Sequence, residues 1–328
     1  MNNKLFISIA SYNDPLLWFT VKDAYDKATH KDQLVFGIFD QSPYPQHVRL
    51  NKLPFHKQIK YVHIHTMDAR GACWARAVTQ TLLADERYFM QIDSHTWFEQ
   101  GWDDFCIRML HAPVVKNLKR VYTSYPRAFE FKDKLPVSVA QSSDLIHIFP
   151  KEGVTLKDNT PAIEFASAFH SIKDNILAHH IAGGFIFSFS QFAREVPYDP
   201  NLYFLGEEQT LAVRAWTHGW DLIHPPYVPL YHYYGRETEA RHWTDGENEQ
   251  RTVPWWEFAK QADQRMADML YHGKDLGAYG LGTVRTLADF ALFCGIDYEA
   301  KTIDFEKAKN INKVYVIPQF YKEPIDES

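Results

Sequence analysis

Residues 88–98 read YFMQIDSHTWF, an apolar run that ends in an acid and an imidazole, Asp93-Ser94-His95. Side chains on a strand alternate between two faces, so Asp93 and His95 share one face while Ser94 points away. At the carboxyl end of a buried strand, both can turn toward one divalent cation. An oxygen plus an imidazole suits Mn²⁺ or another first-row metal better than Mg²⁺, which prefers oxygens and water. The same triplet also fits a simpler arrangement, an aspartate closing a turn beside a half-buried histidine.

The surroundings read as an α/β chain. Leu5 to Ala10, Gln33 to Phe39, Ile59 to Ile64 and Tyr88 to Ile92 are apolar runs of strand length, as expected for strands buried on both faces. Between them, Leu16 to Ala28 and Ala69 to Ala84 read as helices, the first following the break at Asn13-Asp14-Pro15 and the second capped by Asp68. Alternating strands and helices predict a mostly parallel central sheet flanked by helices. Ligands bind outside the carboxyl ends of such strands, where Ser11, Asp40, Asp68 and Asp93 fall.

Further along, Gly101 to Leu118 reads as a helix, Val121 to Phe131 as a strand and Lys132 to Ala162 as a long irregular connection. Ile181 to Ser188 reads as another buried strand, and Glu207 to His218 as a helix stopped by Gly219. Pro225 to Tyr234 is rich in proline and aromatic residues, Gly235 to Thr252 is polar, and helices alternate with glycine turns from Pro254 onward. These segments predict one α/β unit over residues 1–250 and a helical extension over 251–328.

Composition narrows the function. The chain has 328 residues and a net charge of −6, so no global field favours nucleic acid. Local contacts through Lys116 to Arg120 or Lys132 to Lys134 stay open. Aromatic residues make up 15% of the chain, enough for a stacking surface or simply an aromatic core. Cys73, Cys106 and Cys294 lack redox or metal spacing and read as buried, reduced thiols. The start shows no signal peptide, and no apolar stretch reaches the roughly 20 residues that span a bilayer. A cytoplasmic location without membrane contact is the expectation.

Four further pieces combine with Asp93 and His95. Arg70-Gly71 and Arg76 sit at the turn into a helix, where a phosphate or carboxylate can meet the positive helix end, though pairing with surface acids accounts for them equally. Gly183-Gly184 leaves room for a ligand, or for a neighbouring helix. Glu207 and Glu208 follow Gly206 at a helix start, where either sugar binding or capping uses an acid. His232, inside Tyr231-His232-Tyr233-Tyr234, is either a third metal ligand or a packed histidine.

The order Ser11-Tyr12-Asn13, Arg70-Gly71 to Arg76, Gln91 to His95, Gly183-Gly184, Gly206-Glu207-Glu208 and His232 resembles a GT-A fold nucleotide-sugar glycosyltransferase. It is most similar to the polypeptide α-N-acetylglucosaminyltransferase group, glycosyltransferase family 60, whose eukaryotic members glycosylate hydroxyproline in the cytosol. The stretch from Gly235-Arg236 to His242-Trp243 fits as well. Mucin-type N-acetylgalactosaminyltransferases share the Asp-x-His and a later histidine.

The resemblance implies that Asp93, His95 and His232 hold Mn²⁺ at the diphosphate of a UDP-sugar. It places Ser11 and Asp40 near the nucleoside, and Arg70 and Arg76 near nucleotide or sugar. Gly183, Gly184, Glu207 and Glu208 line the sugar and acceptor side, with the two glutamates as the catalytic pair. It implies retaining transfer of GlcNAc or a hexose to an acceptor hydroxyl, on a protein first. A hydroxymethylated DNA base, a glycan, or a non-catalytic sugar-binding protein on a decayed transferase fold are the alternatives.

Overall fold

A computed structural model describes residues 3–112, 118–139, 144–236, 239, 241–246 and 250–311. The basic stretch at Lys116, the predicted helix end near Leu118 and the tail beyond residue 311 lie wholly or partly outside the described residues. The first four strands are β1 (Leu5–Tyr12), β2 (Leu34–Gln41), β3 (Ile59–Ile64) and β4 (Tyr88–Asp93). Next come β5 (Thr96–Phe98), β6 (Arg120–Thr123), β7 (Arg127–Lys132) and β8 (Leu135–Ser138). They are followed by β9 (Leu145–Pro150), β10 (Phe165–His170), β11 (Ile176–Ala178), β12 (Phe185–Phe189), β13 (Asp221–His224) and β14 (Leu230–His232).

Eight strands form the central sheet in the order β11-β13-β6-β12-β4-β1-β2-β3. Pairing is parallel from β3 through β2 and β1 to β4, and again between β6 and β13. Only β12 and β11 run against the others, so the expected mostly parallel sheet is what forms. Strand alternation explains the core. Leu5, Ile7 and Ile9 of β1 pack with the helices Leu17–Lys27 and Trp102–His111 on one face. On the other face, Phe6 packs with Phe89, Cys73 of helix Ala72–Gln80 and Leu211 of helix Glu207–Thr217. Each large side chain so buried contributes about 1.5–3 kcal/mol.

Several boundaries differ from the sequence reading. The stretch 121–131 is not one strand: β6 ends at Thr123 in the central sheet, and β7 starts at Arg127 in a second sheet of order β5-β14-β7-β8. The supposed irregular connection holds β8 and β9, and β9 pairs with β10 as an antiparallel hairpin. β8 and β10 are partly exposed, whereas β9 is almost wholly buried and broken in its apolar run only by His147 and the closing Pro150. The helix expected over 69–84 is only Ala72–Gln80, and its cap is Gly71 at φ 98°. Asp68 ends a short 3₁₀ turn instead. Beyond helix Glu207–Thr217, Val213 and Trp216 pack against Met269, Leu270, Phe290 and Phe293 of the later helices.

The step from β4 to β5 holds the fold and the candidate site together. Thr20 is fully buried, and its hydroxyl donates toward the Ser94 and Thr96 carbonyls at 2.9 and 3.0 Å while accepting the Thr96 N–H at 2.8 Å. β5 then pairs antiparallel with β14, which sets His232 opposite Thr96. Replacing Thr20→Val keeps the shape but strands a buried N–H and two carbonyls. Chemical denaturation should show a loss of about 1–3 kcal/mol; an unchanged midpoint would show that the hydroxyl does not hold this turn.

Candidate active site

Asp93 closes β4, and His95 lies in the bend that follows, so the turn and not the strand pleat brings the two together. The Thr96 hydroxyl closes that bend on the Asp93 carbonyl at 2.8 Å. His95 Nε2 lies 2.9 Å from His232 Nε2, and His232 Nε2 lies 3.1 Å from Asp93 Oδ2. Donor atoms of Asp93, His95 and His232 all fall within 4.8 Å of one another. Two imidazole nitrogens facing each other beside a carboxylate need a cation or a proton between them. The donor set, one oxygen and two nitrogens, therefore fits a first-row divalent metal.

A second carboxylate, Asp14, stands behind His95 and was not among the sequence candidates. Its Oδ2 accepts from His95 Nδ1 at 2.7 Å and from Ser94 Oγ at 2.6 Å. Ser94 thus points toward the site's support and not away from it. With its Nδ1 proton donated to Asp14, the His95 ring presents an Nε2 lone pair to the centre, as metal-bound histidines do. Arg236 ion-pairs with Asp14 at 3.3 Å. Burial opposes ionisation of Asp14, but His95, Arg236 and Ser94 outweigh it and hold the carboxyl below its usual range. Burial likewise opposes charge on Asp93, yet the His232 hydrogen bond and the Arg76 charge keep it well below the usual carboxylate range. Burial lowers the His232 value, which favours the neutral, lone-pair form of the ring.

Arg76 joins this triad to the glutamate pair. Its Nη2 donates to Asp93 Oδ1 at 2.8 Å and its Nη1 pairs with Glu207 Oε1. Glu207 also accepts from Cys73 Sγ at 3.1 Å and Tyr198 OH at 3.4 Å. Its side chain is 3% exposed, whereas that of Glu208 is 31% exposed. Adjacent in sequence, the two acids turn in different directions at the helix start. Glu208 Oε1 accepts from the Gly183 N–H at 2.6 Å and acts on Tyr125, whose hydroxyl burial holds above its ordinary value.

The two glycines make room for these charges. A Cβ on Gly183 would stand 2.3 Å from Arg76 Nη1 and 2.9 Å from Glu207 Oε1. A Cβ on Gly184 would stand 3.1 Å from Asp93 Oδ2. What comes close is thus the site's own ion pairs.

Two clefts meet at Asp93, Arg76 and Phe204. One, of about 410 Å³, is walled by Ser11, Tyr12, Asp93, His95, His232, Arg236 and Trp243. The other, of about 580 Å³, is walled by Gly184, both glutamates, Tyr125 and the β9–β10 hairpin. In the 410 Å³ cleft the Ser11 hydroxyl is buried without a protein hydrogen-bond partner. Two sequence candidates lie apart from both clefts. Asp40 faces a separate cavity of about 190 Å³ and accepts from Tyr61 at 2.7 Å and Ser42 at 3.0 Å. Arg70 is exposed and stacks over Trp74 at 5.4 Å.

Gly183→Ala should lower stability by about 1–3 kcal/mol, because the added methyl overlaps a guanidinium locked between two carboxylates. Gly246→Ala, with nothing within 4 Å of the added atom, serves as the control in the same thermal melts. Equal midpoints for both variants would contradict the close approach.

Residues 41–300 match the model of a family described as Glycosyltransferase (GlcNAc). No curated protein matches the chain. Among solved structures, the crystal structure of GalNAc-T7 with UDP, GalNAc and Mn²⁺ superposes with a TM-score of 0.54 at 15% identity. The match covers 70% of this chain but 44% of that one, so the chain spans less than half the length of this neighbour. At that identity the likeness is one of fold, a mixed α/β GT-A architecture with a central sheet flanked by helices.

Proposed function

The chain belongs to the glycosyltransferase (GlcNAc) family, and from that premise we propose that it transfers a sugar from a UDP-sugar to an acceptor hydroxyl with a divalent cation, Mn²⁺ first. The observation that carries this reading is the convergence of Asp93, His95 and His232 where the two clefts meet. These three residues would hold the cation. When bound, it supplies Lewis-acid neutralisation of the charge that develops on a departing diphosphate.

The protein's own groups divide the remaining work. Asp14 orients His95 and fixes its tautomer. Arg236, on the wall of the 410 Å³ cleft, offers a guanidinium to a phosphate. Tyr12 and the aromatic wall that includes Trp243 and Phe204 suit the nucleoside and the edge of the sugar. Glu208 orients sugar hydroxyls from the second cleft, while Glu207, shielded and paired, positions Arg76. The acceptor hydroxyl attacks from the face the leaving group vacates. The anomeric C–O bond to the diphosphate breaks as the new one forms on the same face, which retains the configuration, and the hydroxyl proton passes to the departing phosphate oxygen, so no side-chain base is required.

Within this reading the donor is UDP-GlcNAc, in keeping with the family description, and the chain is a relative of the family 60 enzymes. The acceptor is a protein hydroxyl, hydroxyproline first, modified in the cytoplasm. A net charge of −6 disfavours a DNA acceptor. Among the described residues no helix is long and apolar enough to cross a membrane.

Asp93→Ala and His95→Ala should each remove metal-dependent UDP-sugar hydrolysis and transfer, and Asp14→Asn should weaken Mn²⁺ binding about 10–100-fold. Full activity in EDTA would refute the metal assignment. Glu208→Gln should lower kcat without moving Tm, whereas Glu207→Gln should lower Tm; the opposite pattern would exchange their roles. A panel of hydroxyproline peptide, glycan and hydroxymethylated duplex DNA identifies the acceptor, and transfer to the DNA alone would displace the protein reading.

A further inference from the structure

A second group of imidazoles lies away from the clefts' metal triad, beneath the β9–β10 hairpin. His147 of β9 is the hub, with ring centroids 6.0 Å from His170, 5.9 Å from His179 and 6.1 Å from His224. Strand pairing makes the cluster. His147 lies opposite Ala168, two residues from His170, across the hairpin, and His224 lies opposite Ile176 at the start of the strand that leads to His179. His147, His179 and His224 are 1%, 4% and 0% exposed.

Apart from His224 Nε2, which lies 3.3 Å from the His180 carbonyl oxygen, these rings have few partners. Both nitrogens of His147, Nε2 of His179 and Nδ1 of His224 are buried without a hydrogen bond from the protein. Each such atom costs about 1–3 kcal/mol if left unsatisfied, and four in one place call for an occupant. Burial pushes His147 down to about 4 and holds His179 and His224 well below the ordinary imidazole value. The ionisable neighbours acting on the three rings are other histidines, His170 and His180 included. Neutral rings offer lone pairs, and an imidazole-only donor set selects Zn²⁺ or a similar borderline cation over Mg²⁺ or Ca²⁺.

We propose that His147, His179 and His224 bind a Zn²⁺ ion, with His170 as a fourth donor at the open edge. With Zn–N near 2.0–2.1 Å in a tetrahedral site, ring centroids stand about 5 Å apart. His147 must therefore close by about 1 Å on each of its three neighbours, and the rings must turn so that one nitrogen of each meets the ion. Among the described residues only Asp93, His95 and His232 already have donor atoms within 4.8 Å of one another, so this second site forms around its ion. Its role is to pin a cleft wall. The β9–β10 hairpin carries Lys151, Phe165 and Ala166 into the 580 Å³ cleft, and Phe165 stacks on His180, next to His179, at 3.6 Å. An ion at the cluster ties that hairpin to β11 and β13 of the central sheet.

The test uses the full chain carrying Asp93→Ala and His232→Ala, which breaks the triad. It is titrated with Zn²⁺ against a chromophoric chelator, and with Co²⁺ by visible absorption. One retained equivalent with a tetrahedral Co²⁺ spectrum, lost on adding His147→Phe, is the expected result. No retained equivalent would overturn the proposal and leave the cavity to bridging water. Should the His147 variant not fold, ¹⁵N-histidine spectra of the unaltered chain decide. Ring signals of His147, His179 and His224 that move with Zn²⁺ support the site, and unmoved signals refute it.

Discussion

The Arg76 guanidinium between Asp93 and Glu207 is the contact on which the rest of the site depends. Glu207, deeply shielded, and Asp93, partly so, could not both stay ionised without it, because desolvation and like charge would drive a proton onto one of them. With Arg76 in place, Asp93 keeps its charge and its second oxygen remains free to face His232. Arg76 reaches them because Gly183 has no side chain and helix Ala72–Gln80 packs directly on β1 and β2. Gln91 completes the support by donating to the Gly183 carbonyl at 2.9 Å and to Tyr198 OH at 2.7 Å. Sheet, helix and glycine turn thus converge on one ion-pair chain.

This chain also separates the functions of neighbours that look alike. Glu207 and Glu208 are successive residues at one helix start, about 100° apart around its axis. That rotation sends the first toward Arg76 and the second toward the Gly183 N–H and the open cleft. The difference between a fixed charge and an accessible one comes from direction alone.

The sheet, the Asp93–His95 pair and the clefts' position at the strand ends were legible in the sequence, because each rests on local pattern: buried runs, period-two strands and turn residues. From its surroundings His232 was legible only as either a third ligand or a packed histidine, since its partner His95 is 137 residues away. Asp14 escaped notice for a related reason. Asn13-Asp14-Pro15 satisfies the grammar of a turn by itself, and its bond to His95 spans 81 residues. The paired glycines announced a close approach but not what approaches. β8 was hidden because an exposed edge strand lacks an apolar run, and β9 because His147 and Pro150 interrupt a short buried one. The buried histidines form no motif at all, and only strand pairing gathers them.

The register of β14 against β5 has a temporal side. His232 is delivered by a strand near the end of the α/β unit, while Asp93 and His95 are in place less than a third of the way along the chain. During synthesis the early strands can pair as they emerge, but the three donor atoms cannot meet until the ribosome has passed Tyr234. Closing so long a loop is slow and is rewarded only once both flanking strands exist. A chain cut short before that point can set Asp93 beside His95 but lacks the third donor, so the convergence belongs only to the finished strand pair.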